Sequence, residues 1–389
     1  MPTSPPAPLK RVAVLSTAFF PLSHTDVILS RWRTPLPGDA AWGWQPGGQC
    51  VLASLYVDQC DPESPGGKEA LGEAFAAREG LRFASGIEEA LTLGTGRLAV
   101  DGVLLIAEHG SYPLNGLGQL LYPRKAWFDR VVAVFRQSGR SVPVFCDKHL
   151  SYEIPGAVEM VRTAREMGFA LFAGSALPWG ELEPPLEWKR EEPLAAALCI
   201  FYGGPEVYGF HGLELLASVV EQRRGGESGV SALTAWRGRA VREVLPTLPA
   251  GLRKKALEPI LLNADVRETL AGDSDRLVLV AVEHRDGLRS WLLGLDRAHR
   301  RFTMALQQGR GEPVMATLRC GNAEDGYGHF ARLNGLLEKM FLSGQPPIPP
   351  ERTLFTTSLL VHIMEALART GCRLEIPVSS PAYAPHRTP

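Results

Sequence analysis

The stretch "YPRKAWFDRVVAVFRQSGRSVPVFCDKHL", residues 122–150, sets the fold. Its first half puts Phe128, Val131, Val132 and Phe135 at i, i+3, i+4 and i+7, the spacing of one apolar helix face. Its second half leaves the helix at Gly139 and enters "VPVFC", a short apolar run read as a buried strand. That strand ends on Asp147, Lys148 and His149. An acid, a base and an imidazole in such a place cost desolvation free energy unless they are paired or exposed. The trio therefore marks either a strand that surfaces or the floor of a site.

The same unit repeats on both sides. Strands are expected at 11–16, 50–59, 81–86, 100–110 and 169–178, with helices from Ser23, over 68–80, from 87 and over 156–168. Ser23 and Asp26 have capping-box spacing, which starts the first helix. Six strands alternating with helices over short connections predict an α/β, Rossmann-like, doubly wound parallel sheet. Ligands of such sheets lie beyond the carboxyl ends of the strands. Asp58, Glu108, His109 and Asp147 to His149 all fall at those ends. After about residue 180 the runs "LAAALCIFYG", "VSALTAWRG", "DRLVLVAVEHRDG", "RSWLLGLD", "RFTMALQQG" and "PVMATLRCG" read as strands with hairpin spacing. One helix near 208–224 and two at 326–343 and 351–370 complete an α+β domain with a mostly antiparallel sheet. The expected organisation is a loose tail at 1–9, a Rossmann-like domain at 10–178, an α+β domain at 179–378 and a loose tail at 379–389. The final helices are expected to pack back on the first domain.

Composition narrows the partners. Formal net charge is -1 without a long basic block, which argues against nucleic acid. The amino-terminal segment has no apolar core of a signal peptide, and no apolar run approaches the ~18 residues of a membrane span. Six cysteines are scattered with no C-x-x-C, as in a reducing, cytoplasmic setting, and suggest neither a disulfide framework nor a zinc knuckle. A small molecule is the expected partner.

The order of the two halves, with "DKH" at 147–149, "GGPEVYGFHGLELL" at 203–216 and the closing "FARLNGLLEKMFLSGQPPIPPERTLFTTSLLVHIMEAL", resembles the Gfo/Idh/MocA oxidoreductases, relatives of glucose-fructose oxidoreductase and inositol dehydrogenase. In that family a Glu-Lys-Pro follows the fifth strand. Lys148 matches its lysine, while Asp147 and His149 replace its neighbours. His211 matches the family histidine; Val207 stands where the family has Asp, and Glu206 lies one residue off that register. The resemblance implies hydride transfer between NAD or NADP and a sugar, cyclitol or related hydroxy compound. Lys148 and His211 would handle the hydroxyl proton, flanked by Asp147 and His149. It also implies that Glu108 and His109 lie near the cofactor, that Asp58 stands at the ribose and that the C-terminal sheet forms homo-oligomers.

The first turn departs from the family. It reads "STAFFPLSH", with no glycine between Arg11 and Thr34, where a G-x-G-x-x-G turn would hold pyrophosphate. Ser16, Ser23 and His24 are then the anion-side candidates, through free amides at a helix start and a histidine donor. Two other readings fit the same residues. One is a redox-neutral or metal-assisted lyase or hydrolase, with Glu108, Asp147, His149 and His211 as candidate ligands of a divalent ion. No H-E-x-x-H spacing supports it. The other is a non-catalytic ligand- or partner-binding protein. The bland readings are a solvated loop lysine for Lys148 and a packed core histidine for His211. In an extended strand Asp147 and His149 point together and Lys148 points away.

Overall fold

The computed structural model describes residues 8–60, 71–324, 326–377 and 382–383. The tails expected to be loose lie almost wholly outside them, as does the start of the helix expected at 68–80.

Apolar runs at the expected places form a six-stranded sheet of β1 (Lys10–Ala18), β2 (Cys50–Gln59), β3 (Arg82–Phe83), β4 (Gly102–Ile106), β5 (Val144–Asp147) and β6 (Leu171–Gly174). Every pairing is parallel, in the order β3-β2-β1-β4-β5-β6. The chain reverses direction across the sheet between β1 and β4, so the crevice opens at their carboxyl ends. Helices α1 (His24–Arg33) and α2 (Gly72–Glu79) lie on one face. Helices α3 (Ile87–Thr92), α4 (Arg124–Ser138) and α5 (Ile154–Glu166) lie on the other. The periodic face of α4 is buried as its spacing demands: Phe128, Val131, Val132 and Phe135 are at most 2% exposed. The Ser23 cap forms, its hydroxyl accepting from the Asp26 amide at 3.2 Å. The Asp26 carboxylate turns instead to the Leu22 amide, at 2.8 Å.

The second sheet runs β14-β9-β10-β11-β8-β12-β13-β7. Its strands are β7 (Glu181–Glu183), β8 (Ala196–Phe201), β9 (Val230–Arg237), β10 (Leu277–His284), β11 (Arg289–Leu295), β12 (Thr303–Gln307), β13 (Val314–Arg319) and β14 (Arg373–Glu375). Among the described residues only β8 and β11 of this sheet pair in parallel; the other pairings are antiparallel. One face packs against α6 (Val207–Val220). The other carries α7 (Arg239–Val244), α8 (Ala250–Leu252) and α9 (Ala264–Ala271). This second cover was not expected, because 239–271 holds only short helical turns with no sustained period. Leu248, Leu252, Leu257 and Val266 seal that face. An oligomer contact through this sheet would meet the cover and not bare strands.

Two late helices tie the halves together. Helix α10 (His329–Ser343) lays Phe330, Leu333, Leu337, Met340 and Phe341 on the first sheet. Each such side chain taken out of water stabilises by roughly 2 kcal/mol. Asn334 in its middle donates to the Ile28 carbonyl at 2.8 Å. Helix α11 (Pro350–Leu367) buries Phe355, Leu359 and Met364 in the second core, while Thr353 donates to the Ala173 carbonyl of β6 at 2.6 Å. Buried Arg352 joins Glu214 of α6 and Glu221 just past its end at 3.0 and 2.9 Å. The strand ends of the first sheet are thus fixed against the second domain.

Candidate active site

A cleft of about 740 Å³ lies where the two halves meet, with His24, Glu108, Lys148, Tyr208, His211 and Phe330 in its wall. Among the described residues seven non-glycine positions have positive φ, and four of them line this cleft: Leu22 (64°), His109 (73°), Lys148 (71°) and Tyr327 (55°). Side chains rarely take this conformation, and where they do the surrounding structure imposes it, often at functional sites.

Lys148 shows what the imposed turn achieves. Its amide donates to the Gly174 carbonyl at 3.0 Å, so the chain leaves β5 in a left-handed turn. The alternation expected of an extended strand ends there. Asp147, Lys148 and His149 diverge, each to its own partner. Lys148 is 2% exposed and its Nζ donates to Glu108 Oε1 (3.2 Å), His211 Nε2 (2.7 Å) and the Val207 carbonyl (3.4 Å). All three ammonium protons are placed. His211 therefore accepts at Nε2 and carries its proton on Nδ1, 2.6 Å from Ser175 Oγ. Ser175 in turn accepts from the Leu177 amide at 3.0 Å. Burial, reinforced by Lys148, pulls His211 well below its ordinary range, so the ring is neutral. The turn before α6 requires a glycine: Gly203 has φ 80°, and a Cβ there would lie 2.3 Å from the Tyr208 ring.

Glu108 is the common counter-ion. Burial pushes its carboxyl up, but Lys148 and Arg124 more than reverse this and hold it well below the usual carboxylate range. Its Oε2 accepts from Arg124 Nη2 at 2.9 Å. Arg124 also donates to His149 Nε2 at 3.0 Å, while His149 Nδ1 donates to the Ser151 carbonyl at 3.0 Å. Glu206 Oε1 stands 3.1 Å from the same Nε2. Burial, then Arg124, pull His149 down, so it too is neutral. Asp147 is 1% exposed and its Oδ2 meets His24 Nδ1 at 2.6 Å. Its Oδ1 is buried without a hydrogen-bond partner among the described residues. His109 packs edge-on against Phe20 at 5.1 Å, and burial pulls it down to about 4.

The four residues considered as metal ligands do not form a metal site. Arg124 and Lys148 stand among Glu108, His149 and His211, and their protons take up the lone pairs a cation would need. Among the described residues no group of three His, Cys, Asp or Glu side chains is arranged to hold a metal.

A dinucleotide in the Rossmann pose needs backbone amides free at the first turn. Here Phe19 and Phe20 are 2% and 6% exposed, Phe19 packing at a tilt against Phe75 at 5.1 Å. The Leu22 amide donates to Asp26, the Ser23 amide to the Phe20 carbonyl at 3.0 Å, and the Phe20 amide to Ser23 Oγ at 3.3 Å. Pro21 has no N–H to give. The helix's own carboxylate sits where its dipole would attract a phosphate. Ser16 Oγ is buried against Thr25 at 2.6 Å. Asp58 lies outside the cleft wall and accepts the hydroxyls of Tyr56 (2.7 Å) and Tyr112 (2.6 Å). These residues do not fit a dinucleotide in that pose.

The structure thus brings together Lys148, His211, Glu108, His109, His24 and Asp147, with His149 one step behind through Arg124. It leaves Ser16, Ser23 and Asp58 in structural roles. Arg124, Ser175 and the rim residues Arg300 and Arg301 were not expected. An arginine inside an amphipathic helix and a serine after a strand carry no motif.

No family model matches the sequence, and no curated protein matches it. Solved structures do match. GenD2 from gentamicin A biosynthesis, in complex with NAD, is 16% identical with a TM-score of 0.57, over 97% of this chain and 99% of that one. Myo-inositol 2-dehydrogenase from Lactobacillus plantarum is 9% identical with a TM-score of 0.59, over 95% and 100%. An oxidoreductase from Agrobacterium radiobacter in complex with NAD+, L-tartaric acid and magnesium is 13% identical with a TM-score of 0.57, over 94% and 98%. At these identities the likeness establishes the fold, the two-domain architecture expected from the sequence resemblance. Among the described residues no helix is long and apolar enough to cross a membrane.

Proposed function

We propose that this chain is an enzyme that moves a proton to and from the oxygen of a polar hydroxy or carbonyl compound, of the sugar and cyclitol kind that its structural neighbours suggest. The observation that carries this reading is the 2.7 Å contact of Lys148 Nζ with His211 Nε2 in the wall of a cleft large enough for such a molecule. An ammonium and a neutral imidazole sharing one proton form a general acid–base pair, and Glu108 balances their charge. Substrate oxygen would take the third partner's place at Lys148, the long contact to the Val207 carbonyl. Arg300 and Arg301 are exposed at the rim and have no ion pair among the described residues, which favours a substrate with an acidic group.

The test is a thermal-shift and turnover screen of neutral and acidic sugars and cyclitols. A ligand that raises Tm is carried into turnover with Lys148→Ala and His211→Asn. Turnover is expected to fall by at least 100-fold in both, with folding checked by circular dichroism. Turnover retained in both removes the pair from the chemistry. The second reading, nicotinamide-dependent oxidoreduction, rests on the likeness to structures solved with NAD. Adding NAD+ and NADP+ to the same screen separates the two.

A further inference from the structure

The departures of this sequence from the oxidoreductase pattern are not independent of one another. The turn that lost its glycines brought in His24, and the Glu-Lys-Pro site that lost its glutamate brought in Asp147. These two replacements meet, Nδ1 to Oδ2, at 2.6 Å.

The His24–Asp147 pair has the geometry of a base and its orienting carboxylate. The Asp147 side chain is 1% exposed and His24 is 16% exposed toward the cleft it lines. Asp147 accepts the Nδ1 proton, which leaves Nε2 as the basic nitrogen. No hydrogen-bond partner of Nε2 exists among the described residues. The His24 ring lies 6.2 Å from the His211 ring, centre to centre, with His109 and Phe330 closing its sides at 5.4 and 5.2 Å. Two proton carriers at that spacing reach neighbouring atoms of one small molecule.

We infer that His24 is a second catalytic base and Asp147 its positioning residue, and that together with Lys148 and His211 they catalyse the redox-neutral isomerisation of a hydroxycarbonyl compound. The inference rests on the acid–base reading of Lys148 and His211 given above. His24 Nε2 removes the proton from the carbon beside the carbonyl, and that C–H electron pair becomes the C=C bond of an enediol. The carbonyl oxygen takes a proton from Lys148, with His211 sharing the exchange. The neighbouring hydroxyl then returns a proton to Lys148 as its oxygen re-forms a carbonyl. The former carbonyl carbon takes the proton held on His24. Substrate and product are isomers, so no oxidant or reductant enters, in keeping with a first turn that does not fit a dinucleotide.

The experiment uses the full chain in D2O with no added nicotinamide. Deuterium entry beside the carbonyl of D-fructose, 5-keto-D-gluconate and scyllo-inosose is followed by proton NMR. The expected result is exchange of at least one probe, lost by 100-fold or more in His24→Gln. Asp147→Asn is expected to lose exchange while still binding the probe, and to lose the downfield His24 Nδ1 proton resonance. Conservative Asp147→Glu is expected to restore part of both. No exchange by the native protein, or exchange that survives His24→Gln, overturns the inference. Probe-dependent reduction of added NAD+ or NADP+, without exchange in its absence, overturns it while leaving the acid–base role of Lys148 and His211 standing.

Discussion

Glu108→Gln tests the electrostatics on which the whole site depends. Glu108 is 3% exposed and lies between two buried cations, Lys148 Nζ at 3.2 Å and Arg124 Nη2 at 2.9 Å. Glutamine keeps the shape and removes the charge, which leaves two buried cations facing a neutral amide. Removing one partner of a buried ion pair costs about 3–5 kcal/mol. At about 2 °C per kcal/mol for a large domain, Tm falls by roughly 6–10 °C. The sign of the pH dependence follows from the carboxyl. In the folded chain it is held well below its ordinary value of 4.5. The unfolded chain takes up a proton near that value and the folded chain resists, so the contribution is complete above it and is lost as pH falls below it. The gap between native and variant stability, from urea midpoints, is therefore expected to stay level from pH 8 to about 5 and to narrow below ~4.5. A variant that melts within about 1 °C of the native chain at pH 7 would refute the argument, because two buried cations would then need no counter-ion.

Two further predictions address the cleft wall and the domain contact. His109 is pulled by burial from 6.5 to about 4, so it stays neutral in the folded chain while the unfolded chain protonates it. Stability is expected to drop by about 3 kcal/mol between pH 6.5 and 4 on this account. His109→Asn, which tolerates the left-handed backbone, should show a shallower loss of urea midpoint, and equal slopes would refute it. A Cβ on Gly102 would lie 2.4 Å from the buried Phe341 ring of α10. Gly102→Ala is expected to cost roughly 1–3 kcal/mol, recovered in part by Phe341→Leu, and an unchanged Tm would show that α10 does not press on β4 there.

The fold was largely legible because its signals are local. A strand such as β5 announces itself by the apolar run at 142–146, and α4 by the spacing of Phe128, Val131, Val132 and Phe135. The cover at 239–271 was not legible, since its short turns are held by the sheet beneath and not by their own period. The site was legible as positions, not as pairs. Lys148, His211 and Glu108 could be placed at strand ends or a helix start, which is where the topology collects them.

Who partners whom depends on backbone turns that the composition does not announce. Lys148 and Leu22, neither a glycine, both take left-handed φ, and the reversal at Lys148 separates Asp147 from its neighbours. His24 and Asp147 are 123 residues apart in the chain. From sequence, the turn departed from a glycine-rich phosphate site and left His24 as an anion-side candidate, and Asp147 was a separate candidate beside Lys148. In the folded chain His24 and Asp147 are hydrogen-bond partners, whereas His149 is held by Arg124 and by the Ser151 carbonyl. A buried polar group left unmatched costs about 1–3 kcal/mol. Here His24 Nδ1 and Asp147 Oδ2 satisfy each other, while among the described residues Asp147 Oδ1 and Arg124 Nε are buried without a hydrogen-bond partner. The His24–Asp147 pair at the wall of the cleft favours a proton path through His24, the path that deuterium exchange reads directly.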